Sequence, residues 1–119
     1  MGDKNKRGIG LKFALNGILE AIKRERNFRI HLFVGFLVLI AAIYFQLNRQ
    51  EWMFIIIMIQ LVFITELMNS IVERIIDYVK PAYHPEAKII KDISAAVVLV
   101  TAITSVIIGC MIFLPKIFG

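Results

Sequence analysis

The chain has 119 residues, 59% of them hydrophobic and 19% charged, with a mean hydropathy of +0.76 and a formal net charge of +5. That composition excludes an ordinary soluble domain and implies a single integral membrane domain, whose chemistry must sit on the spans and their short connections. The positive charge does not point to nucleic acid. Eight of the fourteen basic residues precede the first span, where they suit anionic lipid headgroups, and no nucleic-acid motif accompanies them.

The N-terminus is polar, and no short apolar core with a small-residue cleavage site follows, so no cleavable signal peptide is expected. Over about residues 8–27, Leu11, Ala14, Leu15, Ile18 and Ile22 share one helical face. Lys12, Asn16, Glu20 and Lys23 take the other, which predicts an amphipathic helix lying on the membrane surface. A first span is expected over residues 30–47. The polar turn Asn48-Arg49-Gln50-Glu51 follows it. A second span over 52–70 opens on Trp52 as an interfacial anchor, and its helix is expected to continue to near Val79. Two prolines between Lys80 and Pro85 break it. A third helix starts near Pro85, crosses the membrane over 93–114 and is ended by Pro115. The single cysteine, Cys110, falls inside an apolar run and reads as a buried, inert thiol.

The N-terminal segment and the second loop carry twelve of the fourteen basic residues, which predicts that both face the cytoplasm. Glu25, Glu66, Asn69, Glu73, Tyr83, His84, Lys91 and Asp92 then fall in one layer at that face, where nucleotides are. Glu66, Asn69 and Glu73 are spaced i, i+3 and i+7, so they share one helix face. An acid at the end of a membrane helix is costly and usually functional. Paired carboxylates suit Mg²⁺, which takes one or two of them together with phosphate oxygens. Glu66, set slightly into the membrane, is placed to accept the proton of a lipid hydroxyl. No Walker A sequence and no protein-kinase signature set is present.

Plainer roles stand beside these. Asp77 reads as a solvated helix charge, Glu25 and Arg29 as an i, i+4 pair, and His31 as an interfacial hydrogen-bonder. Ser94, Ala95 and Ala96 read as a site of close helix packing. A transporter subunit would place its acid near the bilayer midplane at a repeat interface, and no repeat is visible. A non-catalytic membrane adaptor would need none of the Glu66/Asn69/Glu73 geometry.

The stretch Glu66-Leu-Met-Asn69-Ser-Ile-Val-Glu73, with Asp77 beyond it and Lys91-Asp92-Ile-Ser94-Ala95-Ala96 further on, resembles the signature of the small prokaryotic diacylglycerol kinase family. Ala21-Ile-Lys-Arg-Glu25-Arg-Asn-Phe28-Arg29 is similar to that family's first acidic motif. The resemblance covers nearly the whole chain, from about Gly8 onward. The Tyr83-His84-Pro85 loop and the ending Phe113-Leu-Pro-Lys116 look like the Gram-positive branch, which is similar to undecaprenol kinases. The resemblance implies an all-α homotrimer with a surface helix and three transmembrane helices per subunit. Its active sites would be shared between subunits and would take ATP, Mg²⁺ and a lipid alcohol, either undecaprenol or diacylglycerol. It implies Glu66 as general base, supported by Asn69, with Glu25 and Glu73 on the metal. Nucleotide contacts would come from Lys6, Phe13, Glu25, Glu73, Ala82, Tyr83, His84, Lys91 and Asp92, and lipid contacts from Glu66, Asn69, Phe28 and Arg29. Two residues depart from the family pattern: Ile71 stands where a small residue is common, and Lys6 where some members carry arginine.

Overall fold

The computed structural model describes the backbone of residues 6–119 and side chains from residue 10 onward. It is all-helical: α1 (Lys6–Arg24), α2 (Arg26–Tyr44), α3 (Arg49–Val79) and α4 (Pro85–Phe118). Three of these, α2, α3 and α4, are long and apolar enough to cross a membrane. The protein is therefore an all-α membrane protein.

Helix lengths decide where the polar chemistry sits. A 31-residue α3 and a 34-residue α4 reach about 46 and 51 Å at 1.5 Å per residue, well beyond a hydrocarbon core of about 30 Å. The excess of both falls beside the 80–84 turn, so that turn and the polar ends of α3 and α4 form one rigid, helical platform.

α3 carries the packing. Its buried residues are Ile55, Met58, Val62, Glu66, Asn69 and Ser70, a single stripe that changes from apolar to polar at Glu66. α4 packs along α3, and α2 packs on it less extensively. α2 lies close against α3 at Gly35, where a Cβ would come within 3.3 Å of the Phe63 ring. Phe28, the most buried residue of the first α2 turns, stacks on Phe63 with ring centroids 5.7 Å apart.

The opposite end is closed by hydrogen bonds. Gln46 adopts φ 52°, and the Leu47 N–H reaches back to the Ala42 carbonyl at 3.2 Å, terminating α2 while Leu47 joins a core cluster with Ala42 and Ile55. Asn48 and Glu51 then form a reciprocal capping box on α3, each bond 2.9 Å. Lys116 of α4 closes on Glu51 at 3.1 Å, which joins the two helices at this rim. The Glu51 carboxyl is held below its ordinary value, first by the Asn48 N–H, with Lys116 adding to it and desolvation opposing. A depressed carboxylate contributes stability above its unfolded-state value of 4.5 and loses it as pH falls through the lower folded-state value. The stability difference between wild type and Glu51→Gln, read from thermal unfolding in detergent, is accordingly expected to be constant at neutral pH and to shrink below pH 4.5. A difference that ignores pH would contradict this.

Three expectations are corrected. α4 does not stop at Pro115 but runs to Phe118. Pro115 lacks only the N–H that would reach the Met111 carbonyl, and the helical bonding resumes beyond it, with the Gly119 N–H donating to the Pro115 carbonyl at 2.7 Å. Cys110 is exposed, not buried, because it lines an open apolar groove of α4. Ala95 and Ala96 are also exposed, so they form no close helix contact within the chain. Ile71, the departure from the small-residue pattern, points outward and does not tighten the interior.

Candidate active site

Glu66 is the centre. Only 2% of its surface is exposed, at the point where the buried stripe of α3 passes from Ile55, Met58 and Val62 to Asn69 and Ser70. Leaving an unpartnered carboxylate in such a place costs several kcal/mol, so its surroundings matter. His31 of α2 approaches it, Nε2 to Oε2 at 3.6 Å, and is the only basic side chain within ion-pair reach among the described residues. One turn on, Asn69 is 7% exposed. Its amide Nδ2 donates to Glu73 Oε1 at 3.5 Å, while Oδ1 is buried with no partner among the described residues. Ser70 Oγ beside it is in the same condition. Glu73 and Glu25 both lie near enough for their charges to act on Glu66.

Glu25 sits at the junction of α1 and α2, in extended backbone at φ −106° and ψ 104°. The expected pair with Arg29 does not form. Glu25 instead binds Arg74 of α3 at 3.2 Å, across 49 residues of sequence. Arg29 turns back to donate to the Ile22 and Lys23 carbonyls at 2.8 and 3.0 Å, closing the C-terminal end of α1. These two contacts tie the end of α1 to α2 and α3, and they put the Glu25 carboxylate on the α3 side.

A polar hollow of about 340 Å³ opens between the ends of α3 and α4. Five of the residues expected at nucleotide line it together: Ala82, Tyr83, His84, Lys91 and Asp92. His84 also caps α4, its Nδ1 accepting from the Glu86 N–H at 3.1 Å, and Pro85 starts the helix at φ already suited to it. Asp77 is a solvated charge, as expected, with its side chain 64% exposed, and it is also paired: Lys91 Nζ binds its Oδ1 at 2.5 Å. That bond is the first cause of a raised Lys91 pKa, and Glu73 adds to it through its charge. Lys88 pairs with Asp92 at 2.6 Å. The Asp77 and Asp92 carboxylates hold Lys91 and Lys88 at the hollow, both cationic at neutral pH.

The remaining expected residues stand apart. Phe28 is buried against Phe63, so it supports the helix pair beneath the site and presents little surface to a lipid. Phe13 is exposed on α1. The Lys6 side chain lies outside the described residues. On the membrane side, an apolar groove of about 460 Å³ runs between α2, α3 and α4 past Val34, Met58, Phe63, Val106 and Cys110, with His31 at its inner end. Sequence reasoning did not find Arg74 or Lys80 as members of this layer, whereas it did place Lys88 there. Helical spacing gives no signal for a contact between distant elements.

The family model for prokaryotic diacylglycerol kinase matches residues 12–113. The chain belongs to the prokaryotic diacylglycerol kinase family. It is a lipid kinase. It is 42% identical to the undecaprenol kinase of Bacillus subtilis (strain 168) over 100 residues, covering 84% of this chain and 81% of that one. It is 37% identical to a diacylglycerol kinase of Synechocystis over 112 residues, 93% of this chain but 64% of the relative. The diacylglycerol kinase of Escherichia coli (strain K12) is more distant, 27% identical over 100 residues. Among the described residues, the stripe from Glu66 to Glu73 brings the buried Glu66 into one layer with the half-buried Glu73 and the charged hollow beside it.

Donor chemistry suits a hard divalent cation. Glu25 and Glu73 offer carboxylate oxygens, and the unpartnered Asn69 Oδ1 offers a carbonyl-type oxygen. Among the described residues no three His, Cys, Asp or Glu side chains cluster as a complete cage. Mg²⁺ is commonly held by one or two carboxylates and completed by phosphate oxygens and water.

Proposed function

We propose that this lipid kinase transfers the γ-phosphate of ATP to the hydroxyl of undecaprenol, at the cytoplasmic face of the membrane. The observation that carries the reading is the nearly fully buried Glu66, one helical turn from Asn69 and two from Glu73, at the boundary between an apolar groove and a cationic hollow. A lipid alcohol arrives from the bilayer and a nucleotide from the aqueous side, so the two meet only in such a layer.

Glu66 acts as general base and takes the hydroxyl proton as the oxygen attacks. Asn69 keeps the adjoining Glu73 carboxylate in place through its Nδ2 and offers Oδ1 to a donor. Glu25 and Glu73 would hold Mg²⁺, and Arg74 keeps Glu25 directed toward α3. The ion would supply charge neutralisation for the phosphate. Lys91 exchanges its Asp77 partner for phosphate oxygen, and Ala82, Tyr83 and His84 form the wall against which the nucleotide lies. Phosphoryl transfer needs mainly positioning and charge neutralisation, which is why so small a site suffices.

The platform faces the cytoplasm on the distribution of basic residues, and α1 lies on that surface. The extensive exposed apolar faces of α2, α3 and α4 suit lipid and neighbouring copies, consistent with a homotrimer whose sites are completed between subunits. Preference for undecaprenol over diacylglycerol is supported by the higher identity to the Bacillus subtilis undecaprenol kinase and by the branch-specific loop and C-terminal residues. The test is competition in one mixed micelle containing both lipids. Undecaprenol is expected to be phosphorylated with kcat/KM about tenfold or more above diacylglycerol, a margin of about 1.4 kcal/mol. A reversed ratio would assign the chain to diacylglycerol and leave the site's chemistry in place.

A further inference from the structure

His31 belongs to none of the roles above, yet its position is peculiar. It lines the inner end of the apolar groove, whereas Glu66 does not; the imidazole stands between the groove and the carboxylate. Its side chain is about a quarter exposed and that of Glu66 is 3% exposed, so the histidine is the part of the pair that an incoming lipid meets. No other basic side chain approaches Glu66 within ion-pair distance among the described residues; Lys88 and Lys91 are engaged with Asp92 and Asp77, and Arg74 with Glu25. The acids nearest Glu66, which are Glu73 and Glu25, are of like sign and cannot hold it. The groove walls are otherwise apolar, with Ser105 turned back to its own helix at the Ala102 carbonyl.

From this we infer that His31 is the positioning residue of the general base: its Nε2–H fixes Oε2 of Glu66 and leaves Oε1 to receive the acceptor hydroxyl. The inference rests on Glu66 being that base. A base oriented by a third group is a recurrent catalytic arrangement, because a carboxylate free to rotate spends much of its time turned away from the proton it must take. The separation of 3.6 Å is just beyond hydrogen-bonding distance. A small rotation of the imidazole closes it, and a lipid tail filling the groove presses the ring toward Glu66. Here α2 contributes to catalysis without carrying a reacting group. His31 takes no part in binding ATP, so its loss acts on kcat and not on the nucleotide.

The experiment compares His31→Gln, which keeps an N–H donor, with His31→Leu, which keeps apolar bulk and removes the donor. Both are purified in detergent, checked for a cooperative thermal transition, and assayed with undecaprenol and with diacylglycerol. His31→Leu is expected to lower kcat about tenfold or more, with KM for ATP within about twofold of wild type, and His31→Gln to recover most of the loss. Packing alone would give the reverse order, Leu active and Gln impaired. The inference is overturned if His31→Leu keeps kcat within about twofold, or if both variants lose activity alike. Should His31→Leu fail to fold, His31→Gln decides: near-wild-type kcat supports the role and a large loss contradicts it. Lipid identity is read from the wild-type rates, and the base assignment from Glu66→Gln, so failure of either is separate from failure of His31.

Discussion

Replacing Glu66 by glutamine is expected to lower kcat by about 10²–10⁴-fold, the range that loss of a positioned general base produces. The change is isosteric, and it removes a buried charge without opening a cavity. Folding is expected to be kept, and thermal stability in detergent to hold or rise, since burying a carboxylate with only one basic neighbour among the described residues is costly. KM for ATP is expected to stay within about twofold, because Glu66 does not line the hollow at the ends of α3 and α4. Initial rates with saturating lipid and varied ATP check both halves. A variant that kept full turnover would remove Glu66 from the chemistry and reduce it to a structural acid. A non-catalytic adaptor would be indifferent to the change altogether.

Glu73→Gln is expected to act differently. Its carboxylate lies in the polar layer, beside Asn69 and near enough to Lys91 to act on it through charge. Removing that charge is expected to raise the Mg²⁺ concentration for half-maximal rate by about tenfold or more, and to lower kcat at any fixed Mg²⁺. High Mg²⁺ would restore part of the rate in Glu73→Gln and none in Glu66→Gln. That contrast separates a metal-holding acid from a proton-taking one on the same helix face. The check is a Mg²⁺ titration of both variants at constant MgATP. Parallel titration curves for wild type and Glu73→Gln would contradict the assignment.

That Glu66, Asn69 and Glu73 share one helix face was legible in the sequence for a physical reason. A 3.6-residue period puts positions 66, 69 and 73 on one face whatever the helix packs against. The same holds for the platform: two prolines bracketing 81–85 have to break a helix, and a helix longer than a bilayer has to project from it. What the period could not supply was partnership between elements. Glu25 seemed matched to Arg29 by spacing, yet it turns to Arg74, because residue 25 is the extended link between α1 and α2 and not a helical position. Arg29 is then free to close the end of α1. His31 offered only an isolated polar residue at the start of a span, and its meaning depends on α2 crossing α3 at Gly35. Cys110 was misread because a residue inside an apolar run need not be inside the protein: in a membrane chain the apolar face can be the outer one.

The most direct measurement of the central assignment is transfer of label from γ-labelled ATP to undecaprenol in mixed micelles, with and without a Mg²⁺ chelator, for wild type and Glu66→Gln. Label is expected in the lipid product of the wild type only, to vanish on chelation, and never to remain on the protein. Label reaching the lipid in the Glu66→Gln variant at the wild-type rate, or surviving chelation, would contradict a Glu66-based, metal-assisted transfer at this site.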